Sequence, residues 1–405
     1  MRNRVLTVFF LVILFGTAVG TRFYENVCSM AGNTMTAIFA ESREASETLN
    51  GKVSASLQGQ STQLIEELPF RTALVELNGM ILRETGTRSY YNRSYGMNIT
   101  TTGYNVGRYE KTSTDYEVQQ MTDFKNYLDS KGIRLLYVNE PAKYIDDAYY
   151  TEQFGGESYL NRNADLFLQR ISEAGIESLD LRDCIAEEGL DPMSLFYRTD
   201  HHWTVPASLW AAGKIAEKLN ETFQYQIDLS LYNPDSFTSV LYEDAWLGEQ
   251  GRKVAKSYIG LDDYVKMTPN YATSYTVFKP DGSALTSGDF SIFIDETDYE
   301  YNGDYYTAPS LHYSYDAYNY NTIHNNKAKG GNILLLGDSY ESSMAPFLSL
   351  GISDIKVVVL RGMTGSIREE IEKGDYDTVI IAYAQFMIGA HDNPSSANYR
   401  MFTLE

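Results

Sequence analysis

At 405 residues the chain can bury a sizeable core and has room for two or three structural units. A hydrophobic content of 43% with 21% charged residues excludes a disordered chain. The formal charge of −21, from 33 basic and 54 acidic residues, repels phosphate backbones and anionic lipid surfaces and argues against nucleic-acid binding.

The chain begins with a basic Met1-Arg-Asn-Arg4, followed by an apolar run from Val5 to Val19 and the small-x-small triplet Ala18-Val19-Gly20. As a helix this run spans about 22 Å, short of a ~30 Å bilayer interior. Residues 1–24 therefore read as a cleaved signal peptide, with an uncleaved signal anchor as the alternative. Either one leaves the rest extracytoplasmic, secreted or anchored to the cell membrane. Residues 25–112 read as an N-terminal helical stalk and loops. Ala, Ser, Thr and Glu dominate to about residue 60, Ile65 to Leu82 is more apolar, and Ser89 to Thr112 suggests short strands. Cys28 and Cys184, the only cysteines, read as free thiols without metal-site spacing.

Tyr116 to Ser130 has the spacing of an amphipathic helix, with Met121, Phe124 and Leu128 on one face, and Gly132 stops it. Ile133 to Val138 follows as a strand, and Asn139-Glu-Pro-Ala-Lys143 leaves its carboxyl end as a capped loop. A second helix, Leu160 to Ala174, precedes a second strand, Ile176 to Leu181. This rhythm is that of a parallel α/β sheet. Thr199 leads into Asp200-His201-His202-Trp203, and Thr204 caps a helix from Val205 to Leu219 with Trp203 packed at its start.

From 221 to 329 the pattern changes to short Tyr, Phe, Thr and Ser runs punctuated by turn residues. Examples are Tyr275 to Lys279 before Pro280-Asp-Gly282, Phe290 to Ile294, and the tyrosines from Tyr299 to Tyr320. This reads as a β-rich insertion beside the active-site face. The chain's 33 tyrosines suit half-buried strands and sugar-facing surfaces about equally. The α/β rhythm then resumes: Ile333 to Leu336 as a buried strand, Ser342 to Leu350 as a helix, Ile355 to Leu360 as a strand, Thr364 to Lys373 as a helix and Thr378 to Tyr383 as a strand.

Gly337-Asp338-Ser339 follows the strand ending at Leu336, so Ser339 would stand above the sheet's carboxyl edge, where α/β proteins place ligands. A serine hydroxyl needs a base, and the base needs an orienting group. His202 and Asp200 supply them: in an extended segment residues two apart share a side, which would turn His201 the other way. The Ser339 N–H, at the opening of a helix, is the expected oxyanion donor. Arg361, Tyr383 and Tyr340 are candidate substrate or oxyanion contacts, and Asp338 braces the turn.

Asp200-His201-His202-Trp203 resembles the signature of the DHHW proteins, relatives of the alginate O-acetylation proteins, whose catalytic domain is SGNH-hydrolase-like. Gly337-Asp338-Ser339 is similar to that superfamily's nucleophile block. The Asp-x-His lies before the serine, the order of the alginate-acetylation branch. The resemblance covers roughly residues 113 to 395, with Trp246-Leu-Gly248 and Arg252 as softer matches; the asparagine block of ordinary SGNH hydrolases has no evident counterpart. It implies a three-layer α/β/α SGNH-like fold with a parallel sheet, built from 113–220 and 330–395, plus the Tyr-rich β insertion 221–329. It also implies an O-acetyltransferase or acetylesterase of a surface or secreted polysaccharide, working through an acetyl-serine without cofactor or metal. A membrane-bound O-acyltransferase would then supply acetyl groups. Two readings compete: a non-catalytic glycan-binding or assembly factor, and a metal phosphoesterase of the DHH type, for which no second ligand cluster is apparent in the sequence.

Overall fold

The run Asn332–Leu336 holds the middle of the sheet because every side chain from Ile333 to Leu336 is buried, whichever face it points to. Ile333 and Leu335 join the apolar cluster on one face, Leu334 and Leu336 that on the other. The computed structural model describes residues 71–405, apart from 93–96, 104, 144–145, 296–304, 309, 393 and 395–397. The expected signal segment, most of the expected stalk and Cys28 lie outside the described residues. Among those described, no helix is long and apolar enough to cross a membrane. The chain from Gly79 to Glu405 is one compact unit; of the unit before it, the described part is the first half of the helix Arg71–Glu84.

In chain order the strands are β1 (Ser89–Asn92), β2 (Met97–Thr100), β3 (Asn105–Gly107), β4 (Arg134–Glu140), β5 (Glu177–Asp180), β6 (Phe237–Trp246), β7 (Asp262–Pro269), β8 (Tyr275–Phe278), β9 (Ala284–Gly288), β10 (Thr322–Asn325), β11 (Asn332–Leu336), β12 (Asp354–Val358) and β13 (Thr378–Ala384). The main sheet has eight strands in the order β5-β4-β13-β11-β12-β10-β8-β9. The first five are parallel; β10, β8 and β9 continue it antiparallel. Helices Asp115–Lys131, Leu160–Glu173 and Ile367–Lys373 cover one face, and Val205–Phe223 with Glu341–Leu348 cover the other. The three-layer α/β/α arrangement is thus present.

The segment 221–329 departs from a separate layer. Its strands β8, β9 and β10 extend the main sheet, and among its described strands the β6–β7 pair stands apart. Phe290 to Ile294 is not a strand. Phe290–Phe293 forms a 3₁₀ turn capped by Asp289, which buries Phe290 and Phe293 three residues apart on one side. Cys184 is half-buried with no disulfide partner among the described residues, and burial pushes its pKa up to about 11.

Candidate active site

Residues Leu195 to Thr204 fold back on themselves. Phe196 and Trp203 form an antiparallel bridge, Tyr197 N–H donates to the His202 carbonyl at 3.1 Å, and Thr204 N–H donates to the Leu195 carbonyl at 2.8 Å. Thr204 then caps the helix Val205–Phe223 by accepting from Ala207 N–H. Asp200, His201 and His202 sit at the tip of this loop. The tip is irregular rather than extended, so the sequence argument for its side-chain directions does not apply. His201 does not turn away: its ring centroid is 3.9 Å from that of His202, and Gln250 meets its Nδ1 at 3.0 Å.

Asp200 is fully buried. Its Oδ1 accepts from His202 N–H at 3.1 Å and lies 2.7 Å from His202 Nδ1, and its Oδ2 accepts from Glu249 N–H at 2.8 Å. Burial pushes this carboxyl up, but the hydrogen bond and nearby charge of His202, with smaller help from His201 and His312, hold it well below its ordinary value. An ionised carboxylate only accepts, so it fixes the proton on Nδ1 and leaves Nε2 as an acceptor. Nε2 lies 2.8 Å from Ser339 Oγ.

Ser339 is reached through the turn that leaves β11, and it is partly exposed. Asp338 braces that turn by accepting from Tyr340 N–H at 2.9 Å and from Ala384 N–H, at the end of β13, at 3.0 Å. Asp338 N–H is itself committed to Glu341 Oε2. Of three consecutive amides, the Ser339 N–H alone has no partner among the described residues, which suits it to an oxyanion. Trp203 locks the two segments together by donating its indole N–H to the Tyr340 carbonyl at 3.1 Å.

The remaining expected contacts are rearranged. Tyr383 is not in the site: it belongs with Val379 and Ile381 to the cluster on the opposite face, where its hydroxyl donates to the Met401 carbonyl at 2.8 Å. Tyr340 is buried beside Trp203 and His202, and its hydroxyl donates to the His201 carbonyl at 2.9 Å, so it clamps the loop instead of meeting substrate. Arg361 is half-buried and donates to Asn398 Oδ1 at 2.8 Å, yet its charge is felt at Asp338 and at Tyr313. Lys143 is buried and ties the Gly103 and Arg198 carbonyls together. Its burial brings the ammonium pKa down to about 8.

Asp262 and His312 escape sequence reasoning, and Gly248 enters it only as a softer family match with no role. Asp262 accepts from the Arg198 and Thr199 amides and from the Thr199 hydroxyl, and so anchors the loop from behind. His312, from the 3₁₀ turn Leu311–Tyr313, stacks on His202 with centroids 3.9 Å apart and planes 14° apart. Burial, then the neighbouring His202, pull the His312 pKa down to about 3, so it is neutral at physiological pH. Gly248 touches Asp200 so closely that a Cβ there would lie 2.5 Å from Asp200 Cβ and 2.7 Å from the Thr199 carbonyl. Gly248→Ala is therefore expected to cost about 1–3 kcal/mol through overpacking and to loosen Asp200. Thermal melting would check the first loss and nitrogen-15 NMR of the His202 ring the second.

Beneath the Ser339 turn, Glu140, Asp338 and Glu341 are all buried, with oxygens within 4.8 Å of one another. Burial raises the pKa of each, and their mutual repulsion pushes Glu140 and Glu341 well above the carboxylate range. Glu140 and Glu341 therefore hold their protons to higher pH than ordinary carboxyls do. Groups with raised folded-state pKa values contribute stability that is complete below the ordinary carboxylate pKa and is lost as pH rises through the raised values. We expect the melting temperature to fall towards alkaline pH and Glu140→Gln to flatten that fall. An unchanged slope in differential scanning fluorimetry would contradict the raised pKa of Glu140.

This second acidic cluster is assembled from distant positions and is not visible as a spacing in the sequence. Asp200, His201 and His202 also place three ligand-type atoms within 4.8 Å. Both ring nitrogens of His202 are already engaged, by Asp200 and Ser339, and that pattern fits a proton relay better than a metal ligand.

Fold and site together define an SGNH-like α/β domain with an Asp-His-Ser relay at the sheet's carboxyl edge. Residues 101–232 match the family model of the SGNH hydrolase-like domain of the acetyltransferase AlgX. Among solved structures, PatB1 of Bacillus cereus with a sulfonyl adduct aligns with a TM-score of 0.57 at 13% identity, over 78% of this chain and 99% of that one. A DHHW family protein from Eubacterium siraeum aligns with a TM-score of 0.55 at 14% identity, over 78% of this chain and 97% of that one. At those identities the likeness is one of fold. No curated protein sequence matches the chain.

Proposed function

We propose that the chain is an extracytoplasmic serine-dependent O-acetyltransferase, or acetylesterase, acting on a polysaccharide. The observation that carries this is the continuous relay from buried Asp200 through His202 to Ser339, with heavy-atom distances of 2.7 and 2.8 Å. The family-model match to an acetyltransferase domain supports the acyl group, and the sulfonyl adduct named for PatB1 is consistent with a reactive nucleophile on this fold.

In the first half-reaction Ser339 Oγ attacks the carbonyl of an acetyl ester while His202 Nε2 takes its proton. The tetrahedral oxyanion is met by the Ser339 N–H. It collapses by expelling the donor's alcohol, which receives the proton from His202. In the second half-reaction an acceptor hydroxyl gives its proton to His202 and attacks acetyl-Ser339. The bond to Ser339 Oγ breaks and the proton returns to that oxygen. Water in place of the sugar hydroxyl gives hydrolysis. A membrane-bound O-acyltransferase is the proposed source of acetyl groups outside the cell.

The test is intact-protein mass spectrometry after exposure to an activated acetyl ester, with and without candidate glycans. The expected result is one acetyl group on Ser339, discharged faster when an acceptor is present. Discharge to acetate at the same rate with every glycan would reduce the reading to an esterase, and no acetyl-Ser339 would overturn it.

A further inference from the structure

We propose that Tyr313 is the sugar-stacking platform of the acceptor subsite and that the acceptor is an uncharged pyranose polymer. The inference rests on the acetyl-transfer reading and adds the acceptor's chemistry. The turn Leu311–Tyr313 sends its three side chains to different places: Leu311 into the core, His312 against the catalytic imidazole and Tyr313 into solvent, where 51% of it is exposed. The Tyr313 ring centroid lies 3.8 Å from that of His312 and 5.9 Å from that of His202, edge-to-face to the latter. A bare aromatic surface thus borders the base that must deprotonate the acceptor.

His312 makes that surface rigid. It is 8% exposed, it stacks on His202, and neither ring nitrogen has a partner among the described residues. A ring held in place loses little entropy on binding, and its π face suits the C–H face of a pyranose. The Tyr313 hydroxyl likewise has no partner among the described residues, and it is free to meet a sugar hydroxyl.

Charge decides the class of sugar. The charges felt at Tyr313 are Arg361, which already donates to Asn398, and then the carboxylates of Asp200, Asp338 and Glu249. The whole chain carries −21. A uronic-acid polymer would meet the long-range repulsion of that net charge, whereas a neutral hexose or N-acetylhexosamine polymer would not.

The test separates binding from turnover. Ser339→Ala protein is titrated with cellohexaose, chitohexaose and hexagalacturonate by calorimetry and saturation-transfer NMR. The expected result is binding of a neutral hexamer, weakened about tenfold by adding Tyr313→Ala and largely kept by Tyr313→Trp, a loss the size of one aromatic contact. In the active enzyme Tyr313→Ala should raise the KM for that acceptor far more than it lowers kcat. No binding of either neutral hexamer, equal affinity with and without Tyr313, or preference for hexagalacturonate would overturn the proposal. Failure of the wild-type protein to acquire acetyl on Ser339 would count against the transfer reading alone, because the binding arm uses a protein that cannot turn over.

Discussion

Ser339→Ala is expected to lower kcat for a small acetyl ester by about a million-fold while leaving the melting temperature close to that of the wild type. The side chain is partly exposed and its oxygen is bonded to His202 Nε2, so removing it deletes one hydroxyl and almost no packing. The turn around it is held by Asp338, Trp203 and the body of β11, none of which needs that oxygen. Because nucleophile and base act as one unit, His202→Ala should cost about as much, and the double variant little more than either alone. Steady-state rates for the three proteins would show this. Additive losses would mean that Ser339 and His202 work separately.

Asp200→Asn is expected to lower kcat by about ten-thousand-fold with the loop still folded. The carboxylate accepts three hydrogen bonds, from His202 N–H, His202 Nδ1–H and Glu249 N–H. An amide in the same place offers one oxygen and presents an N–H towards the imidazole or the backbone. Facing that donor, Nδ1 gives up its proton and Nε2 takes it, so the nitrogen next to Ser339 can no longer accept. Nitrogen-15 NMR of the histidine rings would read the exchange directly, with Nδ1 protonated in the wild type and Nε2 protonated in the variant. Lost activity with an unchanged tautomer would mean that Asp200 acts through charge alone. The same carboxylate ties stability to acidity: its folded-state pKa is depressed, so its contribution is present above the ordinary carboxylate pKa and is lost as pH falls through the lowered value.

The segments that announce themselves in the sequence are those where local pattern and tertiary role agree. The run before Gly337 is apolar at every position because β11 is buried on both faces. Glycines 132 and 175 stop their helices in a left-handed backbone conformation, and Thr204 caps its helix as its chemistry suggests. Pattern fails where parity or long-range packing decides. In β13, Val379, Ile381 and Tyr383 share one face while Ile380, Ala382 and Ala384 share the other. Tyr383 therefore points away from Ser339 although it ends the neighbouring strand. Its partners on either side are apolar, so nothing local reveals which face is which. Gly248 shows in the sequence only as a softer family match, and the Glu249 amide holds Asp200 from 49 positions downstream, where a backbone N–H leaves no trace. His312 lies among tyrosines in a segment read as strands, and only the fold sets it on His202. The β-rich segment shows the β8–β9 turn at Pro280-Asp-Gly282, but not that β8 to β10 would extend the parallel sheet instead of covering it.

The most direct measurement is covalent labelling by a small sulfonyl fluoride, with the modified peptide mapped by tandem mass spectrometry. If His202 activates Ser339 as the 2.8 Å contact indicates, the label falls on Ser339 with unit stoichiometry, and His202→Ala abolishes it. A label on another residue, no label, or an equal labelling rate in His202→Ala would contradict an activated serine at this site.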